Sequence, residues 1–226
     1  MSNYNKVFSV KIYRLYYWFQ RVLVWLIYRG IFGCTIEGQE NIDFSQTFII
    51  LSNHCSHMDP PLVGYAIPKP IAYMAKYDLF KIPLLNKLMH WSGAYAVSRG
   101  HNDISFIDNT KYALENGWLA AIFPEGGRSY DGKMMPVKSG VARILLSNPV
   151  PFLPIALINT NNAWGKNKKV NFSTKIKVKI GKMVYPQEYL PNENLVENEK
   201  LEYIKSIYSH KLNDLLPDEQ KSAVLN

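Results

Sequence analysis

A histidine and an aspartate, His54 and Asp59, are separated by four residues and lie between an apolar run and a pair of prolines. The apolar run at residues 48–51 predicts a strand, so the two polar residues are expected in a loop at the end of a sheet. An imidazole ring that a nearby carboxylate holds and polarises is a general base for a hydroxyl group. This pair therefore predicts transfer of an acyl or similar group to an alcohol, with no serine or cysteine nucleophile on the protein.

Three further segments lie near the ends of candidate strands, where ligands gather in open α/β sheets. Residues 93–99 end in Arg99, residues 123–129 read Phe-Pro-Glu-Gly-Gly-Arg-Ser, and residues 150–156 are apolar with two prolines. Any one of them is a weak signal, because a lone histidine or arginine in a loop is more often structural than functional. Their occurrence together, in this order, is much more specific.

The four segments together resemble the sequence blocks of the glycerolipid acyltransferases, the family of the lysophosphatidic acid acyltransferases, which is known for an H-x4-D motif. The resemblance covers about residues 35–185 and does not depend on the N-terminal segment or the acidic C-terminal region. Gly127 is a departure, because the family usually has threonine at this position. The change removes a hydroxyl group and a Cβ atom beside the expected phosphate site.

The resemblance and the chemistry of the side chains imply a catalytic pair. His54 is expected to take the proton from an acceptor hydroxyl while that oxygen attacks a thioester carbonyl, and then to protonate the leaving thiolate. Asp59 is expected to accept the other ring N–H and to stabilise the imidazolium that forms. The acyl donor is expected to be acyl-CoA or an acyl carrier protein thioester, which is a co-substrate. No cofactor and no metal ion are expected.

A glycerophosphate acceptor requires cations, and a guanidinium group can bind phosphate through two parallel hydrogen bonds. Arg99 and Arg128 are the first candidates, and Lys138, at the start of a predicted helix, is the third. Glu125 is expected to orient Arg128 or a substrate hydroxyl. The simpler alternative is an ion pair between Glu125 and Arg128 that only fixes a turn.

The neighbouring residues are expected to have lesser roles. Gly126 and Gly127 would allow the backbone to approach the ligand closely. His54 and His57 are three residues apart and could form a metal pair, but no other residues in the sequence complete a convincing site. Cys55 is a conceivable nucleophile beside a histidine, yet adjacent residues point apart and a thioester donor needs no protein nucleophile. Ser129 is expected to be a turn or helix-start residue.

Composition and charge limit the classes of protein. The 226 residues are 47% hydrophobic, which suffices for one large domain, and two cysteines argue against a disulfide framework. The net charge is +8; residues 1–36 and residues 163–182 are basic without any acid, and the second range contains seven lysines. These ranges predict an anionic partner, which could be phospholipid head groups, an acidic carrier protein, a phosphorylated substrate or nucleic acid. No nucleic-acid motif is present, so nucleic acid is not expected.

Residues 1–34 are expected to form an N-terminal amphipathic helix that associates with the membrane, and residues 35–226 an acyltransferase domain with a C-terminal packing helix. Apolar residues recur at helical spacing along residues 6–32, and the other face mixes cations with tryptophan and tyrosine, including Tyr28. Such a face favours a bilayer interface. A membrane-spanning helix and a helix that only docks on the domain are alternatives. The protein is expected to be peripheral or monotopic on the cytoplasmic face of a membrane.

The remaining sequence alternates short apolar runs with helical segments, which predicts an α/β fold with a central, mostly parallel sheet flanked by helices. The candidate strands are residues 47–52, 71–74, 94–98, 118–123, 152–158 and 175–181. The candidate helices are residues 61–67, 83–91, 103–116, 137–146 and 197–215. The alternating lysines of residues 175–181 predict an edge of the sheet.

The leading hypothesis is transfer of a fatty acyl group to the free hydroxyl of 1-acyl-sn-glycerol 3-phosphate, which is lysophosphatidic acid, to give phosphatidic acid in phospholipid biosynthesis. The same chemistry on glycerol 3-phosphate or on another lysolipid is an open alternative. A non-catalytic membrane lipid-binding protein with this fold is a second alternative, although the intact pair of His54 and Asp59 argues against it.

Overall fold

The computed structural model describes residues 22–76, 81, 94–97 and 105–223. Within these ranges one sheet contains seven strands: β1 (Thr35–Glu37), β2 (Ile49–Ser52), β3 (Ile71–Lys76), β4 (Tyr95–Val97), β5 (Leu119–Ile122), β6 (Phe152–Ile158) and β7 (Lys177–Ile180). Their order across the sheet is β1-β7-β6-β2-β5-β3-β4. The strands from β6 to β4 are parallel, and β7 runs antiparallel to β6. The predicted mostly parallel sheet is therefore confirmed.

Helices cover both faces of the sheet. They are α1 (Asp59–Ala66), α2 (Ser105–Glu115), α3 (Gly140–Ser147), α4 (Thr160–Trp164), α5 (Pro186–Tyr189) and α6 (Glu197–Asn213). The central strand β2 serves both layers, because Ile50 packs in the core cluster that contains α1, while Ile49 and Leu51 pack in the cluster that contains α2, α3 and α6. All four residues of β2 are buried, which explains why its sequence is a continuous apolar run.

One edge of the sheet differs from the prediction. The short strand β1 pairs in parallel with β7, so β7 lies inside the sheet and the prediction that residues 175–181 form an edge is wrong. The lysines of β7 alternate because the strand buries only one face, which carries Val178 and Ile180. On the other face, Nζ of Lys177 lies 2.7 Å from Oε1 of Glu37 in β1. A strand of three residues has too short a pattern to be recognised from sequence.

The predicted C-terminal packing helix is confirmed. Helix α6 buries Leu201, Ile204, Tyr208 and Leu212 in the core. The Tyr208 hydroxyl also donates a hydrogen bond of 2.6 Å to the carbonyl oxygen of Lys138, so α6 supports the turn before α3. Helices α4 and α5 are not predicted, because a helix of one turn carries no apolar periodicity.

The predicted N-terminal helix lies largely outside the described residues, as does the candidate helix at residues 83–91. Residues 22–25 are helical and lead into a π-helical turn, Leu26–Ile31. Tyr28 is not on an interfacial face, because its side chain is buried and its hydroxyl donates to the carbonyl oxygen of Met58 at 2.7 Å. Trp25 and Leu26 are exposed. Among the described residues, no helix combines the length and apolar character that crossing a membrane requires.

Candidate active site

The candidate site lies where strands β2 and β5 end side by side. Strand β2 pairs in parallel with β5 on one side and with β6 on the other, so the segments that follow these three strands emerge together at the carboxyl ends of the strands. The segment of residues 53–59, termed the His54 loop, follows β2, and Glu125 follows β5. The topology thus brings together His54 and Glu125, which are 71 residues apart in sequence.

His54 and Asp59 form a hydrogen-bonded pair. The Nδ1 atom of His54 lies 2.8 Å from Oδ2 of Asp59. Because a carboxylate only accepts hydrogen bonds, Nδ1 is the donor in this contact, and in the neutral form of the ring the lone pair is on Nε2. The Asp59 side chain is fully buried, whereas 17% of the His54 side chain is exposed. The arrangement fixes the ring through one nitrogen and leaves the other for an incoming hydroxyl group.

The backbone of the His54 loop folds around the same carboxylate. The N–H groups of Cys55 and Ser56 each donate to Oδ2 of Asp59 at 2.7 Å. Asp59 begins helix α1, and two prolines follow it in the first turn, where backbone N–H groups have no partner inside the helix. One carboxylate oxygen therefore positions both the backbone of the loop and the His54 ring.

Phe123 supports the face of the imidazole ring. The ring centroids of His54 and Phe123 are 4.2 Å apart, and the planes are 22° from parallel. Phe123 directly follows strand β5, so its position is set by the sheet. The stacked ring limits rotation of His54 away from Asp59.

Glu125 braces the backbone of the His54 loop. Its Oε1 accepts the N–H of His54 at 2.6 Å, and its Oε2 accepts the N–H of Met135 at 2.7 Å. Burial raises the pKa of this carboxyl group to about 8, although the two backbone N–H groups act in the opposite direction. The ion pair with Arg128 that the sequence allows is absent from the contacts of the described residues, because both carboxylate oxygens face the backbone.

Asn53 is a site residue that the sequence patterns do not single out. Its Nδ2 donates to the carbonyl oxygen of Leu157 in β6 at 3.0 Å, and its Oδ1 accepts the Leu157 N–H at 2.8 Å. The side chain therefore fixes the start of the His54 loop to the neighbouring strand. The available signal is its position, because an amide directly after a buried apolar strand requires hydrogen-bond partners.

Ser129 and Cys55 have structural contacts rather than the geometry of nucleophiles. The N–H of Ser129 donates to the carbonyl oxygen of His54 at 2.8 Å, and its hydroxyl donates to Oδ1 of Asp131 at 2.8 Å. The Cys55 thiol is buried and lies 3.6 Å from the carbonyl oxygen of Gly132. Burial raises the pKa of Cys55 well above its usual value, which disfavours the reactive thiolate.

Two cations border the turn after Glu125. Gly126 has a φ of +70°, and a Cβ atom there would lie 3.0 Å from Nζ of Lys138. The Lys138 N–H donates to the carbonyl oxygen of Pro124 at 2.9 Å, which holds the lysine beside the turn. Arg128 is partly buried, and its Nη1 atom is buried without a hydrogen-bond partner among the described residues. A guanidinium N–H in this state can donate to an anion.

The positive charge of Arg128 affects a side chain of the His54 loop, His57. Burial, and then the Arg128 guanidinium group, lower the pKa of His57. Gly127 lies between Gly126 and Arg128, and a Cβ atom there would have no heavy atom within 4 Å. The glycine therefore leaves open space where the resembling family has threonine.

All the predicted site residues that the structure describes thus lie together at the carboxyl ends of β2 and β5. His54 and Asp59 are paired, and Glu125 contacts the backbone of His54. Gly126, Gly127 and Arg128 form the adjoining turn, and Lys138 lies beside it. Arg99 lies outside the described residues. No group of three His, Cys, Asp or Glu side chains that could hold a metal ion occurs in the described part of the chain.

The chain is similar to known proteins in sequence and in fold. Residues 33–158 match the sequence family described as Acyltransferase. A 1-acyl-sn-glycerol-3-phosphate acyltransferase of Cocos nucifera is 30% identical over 90% of this chain and 63% of its own length, and one of Borreliella burgdorferi is 29% identical over 66% of this chain and 60% of its own length. The chain therefore spans less than two thirds of these relatives. The crystal structure of the 1-acyl-sn-glycerophosphate acyltransferase PlsC of Thermotoga maritima has a TM-score of 0.72 at 25% identity, covering 92% of this chain and 85% of that one.

Proposed function

Because the chain belongs to the acyltransferase family, we propose that it transfers a fatty acyl group from a thioester to the free hydroxyl of 1-acyl-sn-glycerol 3-phosphate and forms phosphatidic acid. The observation that carries the proposal is the hydrogen-bonded pair of His54 and Asp59 at the edge where β2 and β5 end. The names of the two curated relatives and of the solved structure support this acceptor.

His54 is the general base of the proposed reaction. Its Nε2 accepts the proton of the acceptor hydroxyl as the hydroxyl oxygen bonds to the thioester carbon. The C–S bond then breaks, and the imidazolium returns the proton to the departing thiolate, so that His54 ends the cycle neutral. Asp59 accepts from Nδ1 throughout and stabilises the positive ring. Such proton transfer contributes a factor on the order of 10²–10⁴ to the rate.

The cations beside the glycine turn are proposed to bind the phosphate of the acceptor. The Arg128 guanidinium group has a buried N–H without a partner among the described residues, and the Lys138 ammonium group lies against Gly126. Gly126 and Gly127 carry no side chains that would keep the phosphate away from this backbone. Arg99 is proposed as a third cation on the basis of the sequence alone.

Glu125 is proposed to act as a positioning residue. Its two oxygens accept the N–H groups of His54 and Met135, so it influences the reaction through the position of His54. Misplacing a reacting group by about 1 Å can cost about 10²-fold in rate. Loss of this contact is therefore expected to slow the reaction although Glu125 does not touch the reacting atoms.

The acceptor and the product are lipids, so the protein is proposed to work at a bilayer, as a peripheral or monotopic protein on the cytoplasmic face. Residues 1–34 are proposed as its amphipathic anchor and residues 35–226 as the acyltransferase domain. The net charge of +8 favours both anionic lipids and an acidic acyl carrier protein. The acyl donor is proposed to be acyl-CoA or an acyl carrier protein thioester.

A panel of acceptors and donors tests the proposed function. The purified full-length chain is given radiolabelled acyl-CoA or acyl carrier protein thioester, together with 1-acyl-sn-glycerol 3-phosphate, glycerol 3-phosphate or an uncharged lysolipid. Labelled phosphatidic acid is expected from the first acceptor, and a His54→Ala variant serves as the matched inactive control. Faster acylation of another acceptor would contradict the proposed substrate. No acylation of any acceptor would refute the reaction and favour a lipid-binding protein without catalysis.

A further inference from the structure

The segment of residues 164–175, termed the 164–175 loop, exposes aromatic and basic side chains beside the candidate site. Phe172 is 62% exposed and Trp164 is 39% exposed. The loop contains no acidic residue. Its exposed lysines, which make no ion pair with an acid in the described ranges, are Lys168, Lys169 and Lys175.

These side chains are presented by a folded loop. The N–H of Asn171 donates to the carbonyl oxygen of Ala163 in α4 at 2.7 Å. The Thr174 hydroxyl donates to the carbonyl oxygen of Asn162 at 3.3 Å. These contacts fix the backbone on both sides of Phe172, whose ring stays mostly exposed although burial of an aromatic ring is favourable.

The 164–175 loop adjoins both the candidate site and the end of the N-terminal helix. The Trp164 ring lies 5.4 Å from the ring of His57 in the His54 loop, and the Ser56 hydroxyl donates to the Trp164 carbonyl oxygen at 2.6 Å. The Phe172 ring lies 5.8 Å from the ring of Phe32, which directly follows the π-helical turn. The loop therefore contacts both the His54 loop and the residue that follows the π-helical turn.

We propose that the 164–175 loop is a membrane-docking surface that binds the anionic head groups of a phospholipid bilayer. Its lysines meet lipid phosphate, and the rings of Phe172 and Trp164 insert at head-group depth. An acidic carrier protein is the other partner that lysines alone would fit. The exposed aromatic rings among them favour the bilayer, where amphipathic and apolar rings are stable at the interface. Binding of lipid by this surface does not require the proposed function. Only its role, which is to orient His54 toward acceptors in the membrane, rests on that function.

Lipid titrations of the full-length chain test this surface without any acyl substrate. Sedimentation with vesicles of phosphatidylcholine alone, and of an equal mixture of phosphatidylcholine and phosphatidylglycerol, gives a partition coefficient for each variant. The test variants are Phe172→Ser and the double variant Lys168→Gln/Lys169→Gln. The matched controls are Tyr203→Ser and Lys200→Gln/Lys211→Gln on helix α6, which packs on the opposite layer of the sheet.

The two test variants are expected to behave differently. The double lysine variant should lower partitioning onto the anionic vesicles about twenty-five-fold at low salt, because each of the two lysines near an anionic surface contributes about fivefold, and the difference should vanish at high salt. Phe172→Ser should lower partitioning onto both kinds of vesicle by about tenfold. Phe172→Trp, which keeps an interfacial ring, should partition as the wild type does. The α6 controls should not change it.

Wild-type partitioning of both test variants overturns the docking surface. So does a result in which the lysine variant binds vesicles normally but loses affinity for an isolated acyl carrier protein. Both failures are distinct from a failure of the proposed function. If no acceptor is acylated but the loop variants still partition more weakly onto the vesicles than the wild type, the reaction is refuted and the docking surface is supported.

Discussion

The His54 loop and the 164–175 loop touch each other through the hydrogen bond from Ser56 to Trp164, yet they use their side chains in opposite ways. In the His54 loop, the side chains of Asn53 and Asp59 are buried and hydrogen-bonded to backbone groups. In the 164–175 loop, the backbone is hydrogen-bonded, but the aromatic and basic side chains face solvent. The polar side chains of the His54 loop are thus paired within the protein, whereas the aromatic and basic side chains of the 164–175 loop remain accessible to a partner.

This difference teaches what each task requires. A general base needs one position, so several independent contacts fix His54: the Asp59 carboxylate, the Phe123 ring and the Glu125 carboxylate on its backbone. A docking surface needs apolar and charged groups that gain more from a membrane than they already have from the protein. Changes in the first loop are therefore expected to alter the rate, the stability or both, and changes in the second to alter lipid binding while leaving the stability nearly unchanged.

The largest effect is expected from His54→Ala, which removes the reacting group of the ordered loop. The rate of acyl transfer at saturating substrate should fall by a factor on the order of 10²–10⁴ because the base is lost. The thermal unfolding midpoint should change little, since the N–H groups of Cys55 and Ser56 still bind Asp59. Steady-state kinetics and circular dichroism measure the two quantities. A fall of less than about tenfold would contradict the assigned base.

The second largest effect is expected from Glu125→Gln, which tests whether the brace matters without touching the reacting group. The amide replaces one of the two accepting oxygens with an NH2 group that only donates, so one of the two backbone N–H groups loses its partner, and the rate should fall by about 10²-fold with a nearly unchanged KM. The exposed Glu193→Gln is the matched control. A large rise in KM with an unchanged kcat would show instead that Glu125 acts on substrate binding.

The same variant has a consequence for the pH dependence of stability. Burial raises the pKa of Glu125 from 4.5 to about 8 in the folded protein, so the folded state keeps a proton that the unfolded chain has released. The free energy of unfolding of the wild type should therefore fall as the pH rises from about 4.5 to about 8, and Glu125→Gln should lack this part of the fall. Urea unfolding across this pH range compares the two. Parallel curves would contradict the raised pKa.

A smaller effect, on stability, is expected from Asn53→Ala. The change leaves the buried N–H and carbonyl groups of Leu157 without their side-chain partner and should lower the free energy of unfolding by about 1–3 kcal/mol. The exposed Asn198→Ala on α6 is the control and should change it by less than about 0.5 kcal/mol. Equal losses for the two variants would remove the distinction between an anchored loop and an ordinary surface.

The smallest effect on the folded protein is expected from Phe172→Ser in the 164–175 loop. The ring is mostly exposed, so the free energy of unfolding should stay within about 0.5 kcal/mol of the wild type. Urea unfolding measures it on the same protein that is used for the lipid titrations. A loss of more than about 1 kcal/mol would mean that the ring stabilises the fold through Phe32, and the comparison of the two loops would lose its sharpest contrast.

The sequence predicts those parts of the fold and site that carry a long pattern. The buried run of β6 is predicted with its observed bounds, and the helical spacing of α6 marks the residues that pack. The contact between His54 and Asp59 is local, so their spacing is sufficient to expect it. The bond from Glu125 to the N–H of His54 is not predicted, because it joins a side chain to a backbone group 71 residues away and no residue type records it. The interior position of β7 is missed for a similar reason, since it depends on the three residues of β1.

The amide of Asn53 has the same donor and acceptor as a peptide group, and this equivalence has a consequence for the end of β2. The main-chain register between β2 and β6 extends to the pair Ser52 and Ile155, and the Asn53 side chain then supplies the next rung of the ladder by pairing with Leu157. A side chain thus substitutes for main chain at the last rung. The main chain of His54 is released from the sheet, so that its N–H can meet Glu125 and its carbonyl oxygen can meet Ser129. The pairing of β2 with β6 therefore continues through Asn53, while the main chain of His54 already belongs to the loop of the candidate active site.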